Sequence, residues 1–345
     1  MRLILSVLYL SYILSACFIN HVSAGEKEVK HKTLKLSNKK KINLGIGFAA
    51  HASCFFVARE RGWFEEAGLN LDYRWYPNAM VMAAGLSRGE IDAAYLSLIP
   101  VINCFANGRV PLKVVCGLHK YGFSLLANPQ KIKTVSDLGK PDVRIGCARE
   151  ATPLDALLHK IIDKYHFKKK EILKKIRRMP PQKIMLALKT GSIDAGFLPE
   201  PYPSMGEASG LKVLLGAGDL WPGMQGSVLV VKEALIKNHP DIVRKLVRIT
   251  KRAAGRLTNH PGNCAPVVAK GLLLIKKEVI PKSLSPTLFK LNIKPEIILR
   301  SLTKRLRCAV SIDTEVIQES IDYLSKLGYV KPFKAEKMVD WNFMR

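Results

Sequence analysis

Residues 86–96, LSRGEIDAAYL, recur as residues 188–198, LKTGSIDAGFL, with Leu, Gly, Ile, Asp, Ala and Leu at matching places and an offset of 102. A second pair, INLG at 42–45 and VRIG at 143–146, matches in character at an offset of 101. Each member of that pair is a short apolar strand running into a small-residue loop and then a helix. Two independent matches at nearly one spacing mark a duplicated unit, and they predict two lobes built alike. Within the unit, an amphipathic helix (79–87, and 182–189) stops at Gly89 or Gly191, which supplies the positive φ needed at a helix end. The chain then enters a short apolar strand beginning at Asp92 or Asp194, the pattern of a buried parallel strand.

Working outward, strand 42–46 leads through 47–51 into a helix over about 52–60, then past Gly62 and Gly68 into strand 69–75. Strands alternating with helices predict right-handed crossovers and an α/β fold with mostly parallel sheets. Lobe 1 takes residues 42–121 and 232–345, and lobe 2 takes 128–222. Segments 122–127 and 223–231 are expected to pair as a hinge of two crossovers. After Lys232 the pattern is helical (234–238, 240–259, 261–276, 314–327), and these helices are placed against lobe 1. The tail, 330–345, reads as an extended wrap over the surface.

The length of 345 residues and the hydrophobic share of 48% supply an ample core and exclude disordered and collagen-like classes. Residues 3–19 form an apolar stretch behind Arg2, too short and too poorly flanked for a membrane span, and read as a secretory signal. Two cleavage readings stay open. Leu14-Ser15-Ala16-Cys17 has the form of a lipobox that would leave Cys17 lipidated, and Val22-Ser23-Ala24 suits ordinary signal peptidase. The formal net charge of +27 would point to nucleic acid if the basic residues clustered beside aromatics. They do not: the run 27–41 reads as a tether after the signal and 166–178 as a solvated helix with its flanks, so no nucleic-acid partner is expected. Cys54, Cys104, Cys116, Cys147, Cys264 and Cys308 are widely spread without a C-x-x-C pair, which leaves free thiols and disulfides both open.

In α/β sheets, ligands bind beyond the carboxyl ends of the strands, where helix N-termini point free N–H groups. That rule selects loops 47–52, 97–100, 148–153 and 199–202. Phe48 and Tyr202 offer aromatic walls. Arg149 either clamps an anion in a fork or pairs with a surface carboxylate. Thr152 is placed to cap a helix starting at Pro153 while offering its hydroxyl inward. His51 holds the corresponding place in the first lobe, as a ligand contact or a structural histidine. Glu200, between Pro199 and Pro201, either accepts hydrogen bonds from a ligand or anchors the hinge. Tyr95, Tyr121 and Trp221 are weaker candidates, since aromatics at strand ends mostly serve packing. G-x-S-x-G, H-E-x-x-H and the Walker phosphate loop are absent, and no metal, cofactor or catalytic residue is assigned. Residues 45–50 fit G-x-G-x-x-A after a strand, with Asp72 near the end of the next, but the export signal and paired lobes stand against a nucleotide-dependent oxidoreductase.

His51-Ala52 followed by ARERGWF at 58–64, Leu69, GEIDA at 89–93, SDLGK at 136–140, GSIDA at 191–195 and EPY at 200–202 together resemble a known family. It comprises the substrate-binding proteins for nitrate, sulfonate, taurine and thiamine-pyrimidine precursors, and includes the yeast-type pyrimidine synthases. The likeness spans about residues 42–340. It implies a type II periplasmic-binding-protein fold, closure over one small-molecule solute, an extracytoplasmic monomer, and an ABC permease and ATPase as partners. Family ligand contacts map onto the loop from Phe48 through His51 to Ala52, Ser97, the turn from Arg149 to Thr152, and Glu200. The pyrimidine synthases consume pyridoxal phosphate and depend on a cysteine-rich segment that this sequence lacks, so a binding protein is expected rather than an enzyme. A ligand-sensing partner of a membrane receptor would share the same cleft.

Overall fold

The computed structural model describes residues 40–279 and 293–344. The expected signal, Cys17 and the tether to residue 39 lie outside the described residues. The strands are β1 (Lys41–Gly47), β2 (Asn70–Tyr76), β3 (Ala93–Ser97), β4 (Leu112–Tyr121), β5 (Phe123–Ala127), β6 (Ile145–Cys147), β7 (Ile176–Arg178), β8 (Ala195–Pro199), β9 (Lys212–Gly216), β10 (Gln225–Lys232) and β11 (Leu306–Cys308). They form one sheet ordered β11-β4-β10-β3-β1-β2 and another ordered β7-β6-β8-β5-β9.

The duplicated motif has a mechanical reason. Asp92 accepts the Asn43 N–H at 2.8 Å, and Asp194 accepts the Arg144 N–H at 2.9 Å. In each lobe the carboxylate therefore fastens the start of the third strand to the start of the first. One residue earlier, Ile91 and Ile193 lie over Gly45 and Gly146, where a Cβ would come 2.6 Å from the isoleucine Cδ1 in both lobes. The turns pass through Gly89 and Gly191 at φ +84° and +69°, conformations costly for any residue with a Cβ. Each lobe is thus locked by the same Asp, Gly and Ile.

Three expectations need correction. The sheets are mixed rather than mostly parallel: β1 pairs parallel with β2 and β3, and β6 with β7 and β8, but β10 runs antiparallel to β3 and β4, β11 to β4, and β5 to β8 and β9. The cause is the double crossing. A strand arriving from the other lobe enters from the cleft end and must run against those that end there. Secondly, segments 122–127 and 223–231 do not pair with each other. β5 is interior to the smaller sheet and β10 to the larger, and the chain crosses at Tyr121-Gly122 (φ +63° and +88°) and through 217–224. Thirdly, the C-terminal helices do not rest on lobe 1 alone. Arg305 pairs with Glu207 at 2.8 Å, and the helix Thr314–Lys326 brings Tyr323 against Trp221, ring centroids 5.3 Å apart.

The helix Pro240–Asn259 buries Val243, Leu246, Val247 and Leu257 against the helix Ser53–Glu60, while Arg244, Arg248 and Arg252 stay exposed. Much of the positive charge is such solvated helix surface. The tail is a wrap pinned by Met338 and Val339, the latter bridging Val114. Among the described residues no helix is long and apolar enough to cross a membrane.

Candidate functional site

Between the carboxyl ends of β1, β3, β6 and β8 lies a cavity of about 780 Å³ lined by both lobes, within the range of small-molecule sites. Of the residues selected from sequence, Phe48, His51, Ser97, Arg149, Thr152 and Tyr202 line it. Its walls are mostly apolar, with Phe48 and Tyr202 stacked obliquely at 5.9 Å, Met80 and Val81 on one side and Met179 on the other. Among the described residues Arg88, Arg149 and Arg178 line it and no Asp or Glu does.

These cations differ in how they are held. Arg88 is tied to Glu90 at 2.6 Å. Arg149 is exposed, on a turn where Ala151 has φ +57° and the Thr152 hydroxyl donates to the Arg149 carbonyl at 2.7 Å. Thr152 also caps the helix Pro153–Lys164 by accepting the Asp155 N–H. Arg178 closes β7 and is fixed from behind: it donates to the Ala148 carbonyl at 2.7 Å and pairs at 2.6 Å with Asp155, a fully buried carboxylate that also accepts the Tyr329 hydroxyl at 2.6 Å. Arg178 ends the basic run that reads as solvated surface in sequence. Nothing local to it signals that it faces a cleft.

His51 Nδ1 lies 2.6 Å from His119 Nε2, with the ring planes within 10° of parallel and centroids 4.6 Å apart. Burial, reinforced by the field of His119, holds His51 well below its usual pKa, and burial brings His119 down to about 4. Both rings are neutral at pH 7. His119 sits on β4 and was not selected from sequence, nor was Gln182, whose side-chain N–H donates to the Pro77 carbonyl at 2.8 Å and ties the lobes together at the cleft.

Three selected residues do not line the main cavity. Ala52 lines only a recess of about 20 Å³ behind His51. Tyr121 stands at the crossover, its hydroxyl accepting the Gly223 N–H at 3.4 Å. Glu200 is fully buried in the junction, accepting the Ser301 hydroxyl at 2.5 Å, while its carbonyl accepts the Ala50 N–H at 3.0 Å. Of the two readings of Glu200, the anchor matches the geometry, because the side chain turns into the protein. Of the weaker candidates, Tyr95 is buried against Thr250 and Trp221 packs beneath Lys160. Asp72 pairs with Lys41 and Arg74, remote from the cavity, so the nucleotide-like motif has no ribose-binding acid. Among the described residues all six cysteines are free and no group of His, Cys, Asp or Glu could hold a metal.

Two lobes of mixed α/β sheet closing on a cleft at their strand ends are the periplasmic-binding-protein fold. The chain belongs to the NMT1-like family, whose profile matches residues 35–271. It is 26% identical over 249 residues to a candidate binding protein of Brucella abortus, covering 68% of this chain and 73% of that one. It is 25% identical over 281 residues to a candidate aliphatic sulfonates-binding protein of Bacillus subtilis, covering 78% and 77%. Among solved structures, the alkanesulfonate-binding protein SsuA from Xanthomonas axonopodis pv. citri, bound to MOPS, superposes with a TM-score of 0.71 at 16% identity, over 88% of this chain and 99% of that one.

Proposed function

We propose that this chain is the extracytoplasmic solute-binding component of an ABC importer, and that it takes a small organic anion with an apolar or aromatic body. The observation that carries the reading is the composition of the inter-lobe cavity: three guanidinium groups, apolar walls and no carboxylate. Water excluded by lobe closure strengthens the attraction between those groups and an anion. Names of relatives support the class, since one is named for aliphatic sulfonates and a structural neighbour is an alkanesulfonate-binding protein.

In this reading Arg178 and Arg149 hold the anion, Phe48 and Tyr202 pack its body, Ser97 offers a hydroxyl at a helix start, and Thr152 braces the Arg149 turn. Glu200, Tyr121 and Ala52 act behind the site, at the junction. Binding shifts the population toward a closed form that a permease and its ATPase recognise, with no chemistry performed. Export by the N-terminal signal, with a lipid anchor at Cys17 or release of a soluble monomer, completes the proposal.

The test is calorimetry with a panel of sulfonates, carboxylates, nitrate and pyrimidines, combined with small-angle scattering. A binding solute should compact the chain, and Arg178→Met should weaken that solute roughly tenfold or more, as expected for a charge-assisted hydrogen bond. Binding of cations in preference to anions, or no compaction with any panel member, refutes it.

A further inference from the structure

The hydrogen bonds around His51 fix which of its ring nitrogens is bare. His119 Nδ1 lies 3.2 Å from the Lys120 carbonyl, which can only accept, so Nδ1 carries the proton. A neutral imidazole has one N–H, so His119 Nε2 is a bare acceptor. The 2.6 Å contact to it from His51 Nδ1 is therefore a donation by His51. That leaves His51 Nε2 without a proton. Among the described residues this buried nitrogen has no hydrogen-bond partner, yet the residue lines both the cavity and the recess behind it.

The pair is closely packed. At Gly226 a Cβ would come 2.6 Å from His119 Nδ1, and at Gly122 one would come 3.1 Å from His119 Cε1 and 3.3 Å from His51 Cε1. Phe123 lies against His51 with ring centroids 4.9 Å apart. A doubly protonated ring would need an anion beside it, and no carboxylate lines the cavity. Burial, which keeps both imidazoles neutral, agrees.

Resting on the binding reading above, we propose that His51 Nε2 is a specificity-determining acceptor, that the solute carries a hydroxyl or N–H donor besides its anionic group, and that His119 is the positioning residue that holds the tautomer. A solute offering only an ether or alkyl group leaves this buried nitrogen unpaired. Sites built to hydrogen-bond a substrate group reject the analogue lacking it far more strongly than apolar pockets reject a changed methylene. Solute choice is then made by two unlike groups: guanidinium for charge and imidazole for the donor.

The probes are the 2-, 3- and 4-isomers of hydroxybenzenesulfonate and of methoxybenzenesulfonate, titrated calorimetrically into the full chain. At least one hydroxy isomer is expected to bind roughly tenfold or more tighter than its methoxy partner. In His51→Phe that ratio falls to near one, and in His119→Phe it falls partway. Nitrogen-15 NMR of the unaltered chain, which needs no variant to fold, should show His51 protonated at Nδ1 and bare at Nε2, with Nε2 shifting when the hydroxy compound binds. Equal affinities in the unaltered chain, a ratio that survives His51→Phe, or a His51 bare at Nδ1 overturns the inference and leaves the anion-binding reading standing. Failure of these sulfonates and of every anion of the wider panel to bind overturns both.

Discussion

Glu200 makes folding stability depend on pH in a direction opposite to most carboxylates, and the size of the effect can be worked out. Its side chain is fully buried, with one oxygen accepting the Ser301 hydroxyl at 2.5 Å and the other, Oε1, without a hydrogen-bond partner among the described residues. Burial raises its pKa from 4.5 to about 7, the hydroxyls of Ser301 and Ser204 and the charge of Arg305 opposing. The folded pKa lies above the unfolded one. Its stabilising contribution is therefore fully present below about pH 4.5 and lost as pH rises through 7. At 1.36 kcal/mol per unit, the loss amounts to about 3 kcal/mol by pH 8. Glu200→Gln stays neutral throughout and keeps an acceptor for Ser301. Urea unfolding of both proteins from pH 5 to pH 8 isolates the effect, because groups common to the two cancel in the difference. The variant should exceed the parent by about 1 kcal/mol at pH 5 and by about 3 kcal/mol at pH 8. A difference that stays flat across that range, or a variant weaker than the parent at pH 8, refutes the argument.

The remaining expectations concern the lobe locks, the histidine cage and the cleft contact. Burial pushes the Asp194 carboxyl up, but the Arg144 guanidinium and N–H with Lys131 outweigh it and hold the pKa at about 2, so the stability it confers is present above pH 4 and lost as pH falls through 2. Asp194→Asn should cost about 2 kcal/mol at pH 7 by chemical denaturation, and more than Asp92→Asn, whose carboxylate accepts the Asn43 N–H at 2.8 Å with no arginine ion-paired to it among the described residues. Gly226→Ala drives a Cβ into the Tyr121 carbonyl and the His119 ring, and should lower stability by about 2 kcal/mol or more in thermal and urea unfolding. Gln182→Ala removes the hydrogen bond to the Pro77 carbonyl. It should raise the ligand-free radius of gyration in small-angle scattering and weaken solute affinity by roughly twofold to tenfold; an unchanged radius would show that this bond does not hold the lobes.

What could be read from the chain in advance divides along one physical line. The lobe repeat was legible because its locks are side-chain-to-backbone contacts repeated in two places: Asp92 on Asn43 and Asp194 on Arg144, with Ile91 and Ile193 over Gly45 and Gly146. The strand-end rule likewise found Phe48, His51, Ser97, Arg149, Thr152 and Tyr202 at the cavity, since being at the end of a buried strand already determines where a loop opens. Sheet partners were not legible in the same way. QGSVLVVK at 225–232 is a continuous apolar run, which fits a central strand as well as a hinge, and only the direction of chain entry decides that it runs against β3 and β4. The direction in which Glu200 turns and the roles of His119 and Arg178 were not legible for a related reason. Each takes its role from a residue distant in sequence: Ser301, His51 and Asp155 lie 101, 68 and 23 positions away. Flanking prolines say that the Glu200 loop is stiff, not which way the carboxylate turns. A lysine-rich approach says that Arg178 leaves a solvated helix, not that a buried aspartate draws it back. Local pattern therefore positions the cleft, while the long-range pairs beside it, His51 with His119 and Arg178 with Asp155, are contacts that pattern does not encode.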